Sequence, residues 1–281
     1  MFAFTVDLED WYHGLEIPIQ SWASRENRVR KGLDKVLELL DDTQTKATFF
    51  TLGWIADQYP EIIKELDAAG HEIGSHSYWH RKVYELTKQE FKEDILRTNA
   101  SISNIIGKPV TGFRAPYFSI TKDSIWALEI LRDCGYTYDC SISPVVTWRY
   151  GIPGAQENLY YMPDYDMWEY GLSTFSIIKK KFGIGGAYLR IFPLHFTKAA
   201  YNSLLASHTD GMFYCHPWEY DPDHPYTKDI PKMARITHYM SLNSMYDKTK
   251  ELLNSYKFTT VSNIIASNRT KPLASNIRLN H

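Results

Sequence analysis

The chain is poor in cysteine: three in 281 residues, Cys134, Cys140 and Cys215, with no C-x-x-C pair among them. Such spacing suits free thiols in a reducing compartment better than a disulfide framework. Long apolar runs are missing too, and nothing approaches the roughly 20 residues that a bilayer-spanning helix needs. No charged segment followed by a short apolar one opens the sequence, as a secretory leader would. Together these absences lead to the expectation of a cytoplasmic protein without a transmembrane segment. Charge of one sign is also scarce: the formal net charge is -2 and like charges do not run together. This excludes a polybasic patch and gives no reason to expect a nucleic-acid partner. There is no internal repeat and no second domain.

What is abundant is apolar and aromatic: 44% hydrophobic and 15% aromatic, with 20 Tyr and 8 Trp. Aromatic faces serve as core filling and as platforms for sugars, and Trp11, Trp79, Trp148, Trp168 and Trp218 are candidates for a sugar groove. Met1 to Asp7 is a run of apolar and β-branched residues suited to a buried parallel strand. Arg28 to Leu40 carries a helical stripe at Val29, Leu33, Val36, Leu37 and Leu40. Lys46 to Leu52 reads as a second strand, Pro60 to Ala69 as a helix stopped by Gly70, and His71 to Ser75 as a third strand. Thr87 to Ile106 is helical, Val110 to Phe113 a strand, Thr121 to Cys134 a helix and Tyr136 to Cys140 a strand. This alternation predicts right-handed parallel crossovers and an α/β fold. Ser143 to Phe182 shows no period and reads as a long irregular insertion, with a tight turn at Gly183 to Gly186. Thr197 to Ser207 is helical, Gly211 to Cys215 a strand, Pro231 to Tyr256 one long helix and Phe258 to Val261 a last strand. One domain over residues 1–265, with an insertion at about 143–196 and a loose polar tail over 266–281, is expected.

The chemistry gathers where strands end, which is where α/β proteins place it. His76 and His80 stand four apart after the third strand, a spacing that sets both rings on one face of a helical turn. Two imidazoles suit zinc or a first-row neighbour, and a catalytic zinc usually takes three protein ligands and keeps a fourth position for water. A third ligand, a carboxylate, is therefore expected. Asp7, Glu9 and Asp10 gather at the end of the first strand. Residues i and i+2 of an extended chain share a face, which favours Glu9; if the chain has already turned, Asp10 is the better candidate.

Taken together, Thr5-Val6-Asp7-Leu8-Glu9-Asp10, Lys46-Ala47-Thr48-Phe49-Phe50, His76-Ser77-Tyr78-Trp79-His80, Arg114-Ala115-Pro116-Tyr117 and Phe213-Tyr214-Cys215-His216 resemble, in order, the motifs of the polysaccharide deacetylases of carbohydrate esterase family four. Gly185-Gly186-Ala187-Tyr188-Leu189-Arg190 and His216-Pro217-Trp218-Glu219-Tyr220-Asp221-Pro222 resemble signatures of the subgroup found in exopolysaccharide and exosortase-type loci. The resemblance implies a distorted (β/α) barrel of about seven parallel strands. It also implies a hydrolase that removes N-acetyl groups from an amino sugar of a bacterial polysaccharide or its lipid-linked precursor, using Zn²⁺ or another divalent metal such as Co²⁺. By the same resemblance His76 and His80 bind the metal, with Glu9 or Asp10. Asp7 is the general base, oriented by Arg114; His216 is the general acid, fixed by Asp139; and Ser77 holds the histidine loop. The backbone N–H of Tyr117 stabilises the oxyanion, and Tyr117, Trp79 and Trp218 contact substrate. The usual first motif has two adjacent aspartates, which this chain lacks. Two rival readings are a relative acting on a non-sugar amide and a catalytically silent glycan-binding protein.

Overall fold

The first strand, β1 (Phe2–Leu8), is buried at all seven positions, as an uninterrupted apolar run requires when both sheet faces are covered. The computed structural model describes residues 1–147, 149–178 and 180–268. After β1 come β2 (Thr48–Thr51), β3 (Glu72–Ser75), β4 (Gly112–Phe113), β5 (Tyr138–Asp139), β6 (Asn158–Met162), β7 (Met167–Gly171), β8 (Thr174–Ile177), β9 (Lys180–Gly183), β10 (Met212–Cys215) and β11 (Phe258–Thr259). The main sheet runs β10-β1-β2-β3-β4-β5-β7-β6. From β10 to β7 every pairing is parallel, which makes seven parallel strands in succession. Strand β6 is antiparallel to β7, and β11 lies parallel on β1. The sheet curls into a half-barrel with helices around it. Side chains bridge its ends: the Tyr170 hydroxyl donates to Gly211 O at 2.8 Å, and the Met212 N–H donates to Ser173 Oγ at 2.8 Å.

Helices fill the crossovers. Lys88–Ile106 opens on a Thr87/Glu90 capping box and closes on Gly107 at φ 67°, the left-handed stop that glycine allows. None of the helices among the described residues is long and apolar enough to cross a membrane. Cys134, Cys140 and Cys215 are unpaired.

Two expectations are corrected. The aromatic stretch 143–182 is not an irregular insertion: β7 extends the parallel sheet beyond β5, and β8 and β9 form a hairpin. Its lack of period has a physical cause, since β7 is buried at four of five positions and shows no alternation. The long helix expected over Pro231 to Tyr256 is broken into Lys232–Tyr239 and Met245–Ser255. The break falls where the Arg190 guanidinium takes the carbonyl oxygens of Thr237, His238 and Met240, and where Ser241 turns to φ 56°. The turn at Gly183 to Gly186 is present. Gly185 has φ 111°, and a Cβ there would lie 2.2 Å from Tyr214 O. Residues 266–268 end the helix Val261–Asn268; Trp148 and the tail beyond Asn268 lie outside the described residues.

Candidate active site

The site forms at the carboxyl ends of β1, β3, β4 and β10. Asp7 is the penultimate residue of β1 and Glu9 follows two residues on, so both project to one side. The buried Arg114, just past β4, donates from Nη1 to Asp7 Oδ1 at 2.6 Å and to Thr5 Oγ1 at 2.9 Å. Its guanidinium carbon lies 4.3 Å from the centre of the Phe50 ring. Asp7 is thus held from one side and keeps Oδ2 toward His216, 3.8 Å from Nε2.

His76 leaves β3 with its N–H donating to Thr51 O at 2.9 Å. The chain then turns as a loop and not as the helical turn expected, with Ser77 at φ 67° and His80 at φ 52°. Asp94 of the helix Lys88–Ile106 holds the loop, accepting from Tyr78 N at 2.7 Å and Trp79 N at 3.2 Å. Ser77 contributes its carbonyl, which accepts from Gly53 N. The i, i+4 spacing was the right signal for convergence, but a strained loop delivers it.

Glu9, His76 and His80 are all buried, and one ligand atom from each lies within 4.8 Å of the others. His76 Nδ1 sits 2.8 Å from Arg114 O. The carbonyl can only accept, so Nδ1 carries the proton and Nε2 is left with its lone pair. Burial lowers the His76 pKa to about 4, which keeps that ring neutral. Burial works against a charge on Glu9, yet the imidazoles of His80, His216 and His76 hold its carboxyl well below the usual range. Glu9 Oε1 accepts from Trp218 Nε1 at 3.2 Å. Oε2 stands 2.7 Å from His80 Nε2, but not along a donor direction, and has no hydrogen-bond partner. A buried carboxylate oxygen without a hydrogen-bond partner beside two imidazoles is a donor set that fits a divalent first-row cation.

Asp10 is not part of this set. Its carboxylate accepts from the main-chain N–H groups of Trp11 (2.7 Å), Arg28 (2.7 Å) and Val29 (3.0 Å). It therefore caps the helix Val29–Asp42 from outside, and the structure corrects its candidacy as third ligand. Asp139 is corrected as well. It bonds to Ser141 and lies against Glu169, whose carboxyl is pushed well above the ordinary range by burial and by the Asp139 charge. It makes no contact with His216.

The partner of His216 is Glu219. Oε2 accepts from both the main-chain N–H and Nδ1 of His216 at 3.0 Å, while Oε1 accepts from Arg190 Nε at 2.8 Å. Burial alone would lower the His216 pKa, but the hydrogen bond and charge of Glu219, with Glu9 and Asp7, raise it to about 9. Glu219 and Arg190 both lie in segments singled out as subgroup signatures, yet no role was read for either. A separation of 29 residues hides their pairing.

Tyr117 occupies a left-handed position, φ 57°, and its ring lies 4.7 Å from that of His80. Trp79 is half-buried against the core. Trp218 is only 8% exposed and stacks against both His216 (5.1 Å) and His238 (4.1 Å). That leaves it little face for a sugar. Trp11 is buried, with Nε1 donating to Glu26 O, and Trp168 packs edge-on to Tyr161.

Comparison with known proteins bears on this geometry. Residues 26–138 match the polysaccharide deacetylase family, and residues 140–266 match a domain of unknown function (DUF3473). The chain thus carries, over residues 26–138, a segment similar to the polysaccharide deacetylase family. Among its relatives are a peptidoglycan-N-acetylglucosamine deacetylase of Bacillus cereus (33% identical, over 34% of this chain and 35% of the relative) and a chitin deacetylase of a Pestalotiopsis species (35% identical, over 36% and 34%). The chain spans about a third of the length of these curated relatives. Two solved structures share the fold of this chain. One is a candidate polysaccharide deacetylase from Mycobacterium smegmatis, at TM-score 0.67 and 16% identity, covering 100% of this chain and 93% of the other. The other is an allantoinase, at TM-score 0.60 and 15% identity, covering 97% and 91%. The family-matched segment 26–138 holds His76, His80 and Arg114, whereas Asp7 and Glu9 precede it and His216 follows it.

Proposed function

We propose that the protein is a divalent-metal-dependent hydrolase that removes N-acetyl groups from an amino sugar of a bacterial polysaccharide or of its lipid-linked precursor. The single observation that carries this reading is the convergence of Glu9, His76 and His80 beside Asp7 and His216 at one end of the sheet. His76, His80 and Glu9 would hold the cation, Zn²⁺ or Co²⁺. When bound, such an ion polarises a carbonyl and lowers the pKa of water toward about 7. Asp7, oriented by Arg114, takes a proton from the attacking water through Oδ2. The Tyr117 N–H donates to the oxygen that gains charge as the acetamide carbon becomes tetrahedral. His216, whose Nε2 stands 3.8 Å from Asp7 Oδ2, delivers a proton to the departing amine. The base and the acid thus face each other across the acetamide, one ready to accept and the other protonated at neutral pH. Relatives described as deacetylases of peptidoglycan and chitin support N-acetylated glucosamine polymers as the substrate class.

Acetate release from N-acetylglucosamine oligomers tests this, using chelator-stripped protein with and without Zn²⁺ or Co²⁺ and the His76→Ala variant alongside. Metal-dependent release that the variant lacks is expected. Stoichiometric metal binding without release would redirect the search to lipid-linked or other acylated sugars. A protein that binds no metal would sink the reading.

A further inference from the structure

His216 sits in a polar network that extends well beyond the cation site. We infer that Glu219, gripped by Arg190, is the positioning residue of His216, in the role that the family resemblance assigns to Asp139. The inference rests on the deacetylase reading only for its kinetic consequence; its structural content stands apart.

One oxygen, Glu219 Oε2, takes both the main-chain N–H and the Nδ1–H of His216. The ring is thereby locked to its own backbone, with Nδ1 committed and Nε2 turned toward Asp7 and Glu9. The Trp218 ring lies nearly parallel to the imidazole, at an interplanar angle of 21°, and fixes the remaining tilt. The frame behind Glu219 is equally committed. Arg190 is buried, and its Nη1 is spent on the carbonyl oxygens of Thr237 (3.1 Å), His238 (3.1 Å) and Met240 (2.6 Å). Lys248 Nζ in turn holds the carbonyl oxygens of Leu189, Arg190 and Phe192 at 2.8, 3.0 and 3.0 Å. Asp139 lies on β5 and spends its carboxylate on Ser141.

A specific chemical consequence follows for Glu219→Gln. The Arg190 Nε–H has only donors to offer, so it claims the amide oxygen and turns the NH₂ toward His216. Nδ1 must then accept, and the neutral ring carries its proton on Nε2. A neutral ring protonated only on Nε2 cannot give up that proton without becoming an imidazolate, so it loses the proton donation that an anionic partner behind Nδ1 supports.

The test combines kinetics with ¹⁵N NMR of the histidine rings in the full chain loaded with Zn²⁺. For Glu219→Gln, kcat on N-acetylglucosamine oligomers is expected to fall about 10–100-fold, the usual cost of losing an outer partner. KM and Zn²⁺ affinity should stay near wild-type values, and Nδ1 of His216, protonated in the wild type, should lose its proton. Asp139→Asn should leave the His216 signals unchanged. If Glu219→Gln does not fold, Glu219→Asp keeps a charge beside Arg190 while falling short of Nδ1, and the same loss of kcat is expected. Wild-type kcat and ring signals in either Glu219 variant, or a switch of the His216 signals in Asp139→Asn, would overturn the inference. A wild-type protein that binds Zn²⁺ but releases no acetate would count against these oligomers as substrate and leave the inference to the NMR arm, which needs no substrate and can still overturn it.

Discussion

Replacing Asp10 and Glu9 one at a time separates two adjacent carboxylates that the sequence leaves equivalent. Asp10→Ala removes the acceptor of three buried main-chain donors, those of Trp11, Arg28 and Val29. Each buried donor left without a partner costs about 1–3 kcal/mol. The three share one carboxylate, so their costs do not simply add, and a net loss of about 3–5 kcal/mol is expected. Domains of this order of size lose roughly 2–4 °C of melting temperature per kcal/mol, which places the midpoint roughly 10 °C lower. Zn²⁺ affinity, measured by isothermal titration below the transition, should stay within about threefold, because Asp10 contributes no atom to the cation site. Glu9→Gln should do the opposite. The amide oxygen still accepts from Trp218, so the fold stays near wild-type stability, but the anionic ligand is gone. Zn²⁺ affinity should then fall by more than about 100-fold, the upper end of what an outer partner costs. Unfolding must be followed in chelator, where bound metal cannot add its own stabilisation. An Asp10→Ala protein that melts at the wild-type temperature but no longer binds Zn²⁺ would refute this assignment of roles.

Two further outcomes are expected. Gly32→Ala, in the helix Val29–Asp42, would normally gain about 1 kcal/mol in helix propensity; here the added methyl would stand 2.0 Å from Pro217 O. A net loss of about 1–3 kcal/mol should show in urea denaturation. A lower kcat should accompany it, since Pro217 follows His216 directly. Glu169→Gln should be tolerated within about 1 kcal/mol at pH 7. Burial and the Asp139 charge push that carboxyl well above the ordinary range, toward its protonated form, and an amide reproduces its acceptor for Ile142 N–H and its donor toward Asp139. A loss above about 3 kcal/mol in thermal unfolding would show that Glu169 is ionised.

What could be read from the sequence followed locality. The alternation of buried strands and striped helices from Met1 to Asp139 is a property of neighbouring residues, and it predicted the parallel sheet. The face shared by residues i and i+2 put Glu9 beside Asp7, yet it could not exclude Asp10. The groups that claim Asp10, Arg28 and Val29, come 18 and 19 residues later. Glu219 escaped notice for the same reason, because its value depends on Arg190, 29 residues away. The histidine spacing indicated convergence correctly and its conformation wrongly, since the constraint on the loop comes from Asp94 and not from the motif. Within the aromatic stretch between residues 143 and 182, β7 escaped notice because burial on both faces erases the period-two signal.

The position of β1 in the sheet has a consequence for how the protein is made. β1 leaves the ribosome well before two of the strands it pairs with, β10 and β11, which lie at Met212–Cys215 and Phe258–Thr259. At synthesis rates of about 5–20 residues per second, one edge of β1 waits roughly 10–40 s for β10. Through that interval the aromatic strand Phe2-Ala3-Phe4 has no neighbour on its β10 side, and Asp7 and Glu9 have no His216 to face. The half-barrel therefore closes only once β10 and β11 have been translated, and until then the nascent chain offers chaperones β1 as a segment to shield.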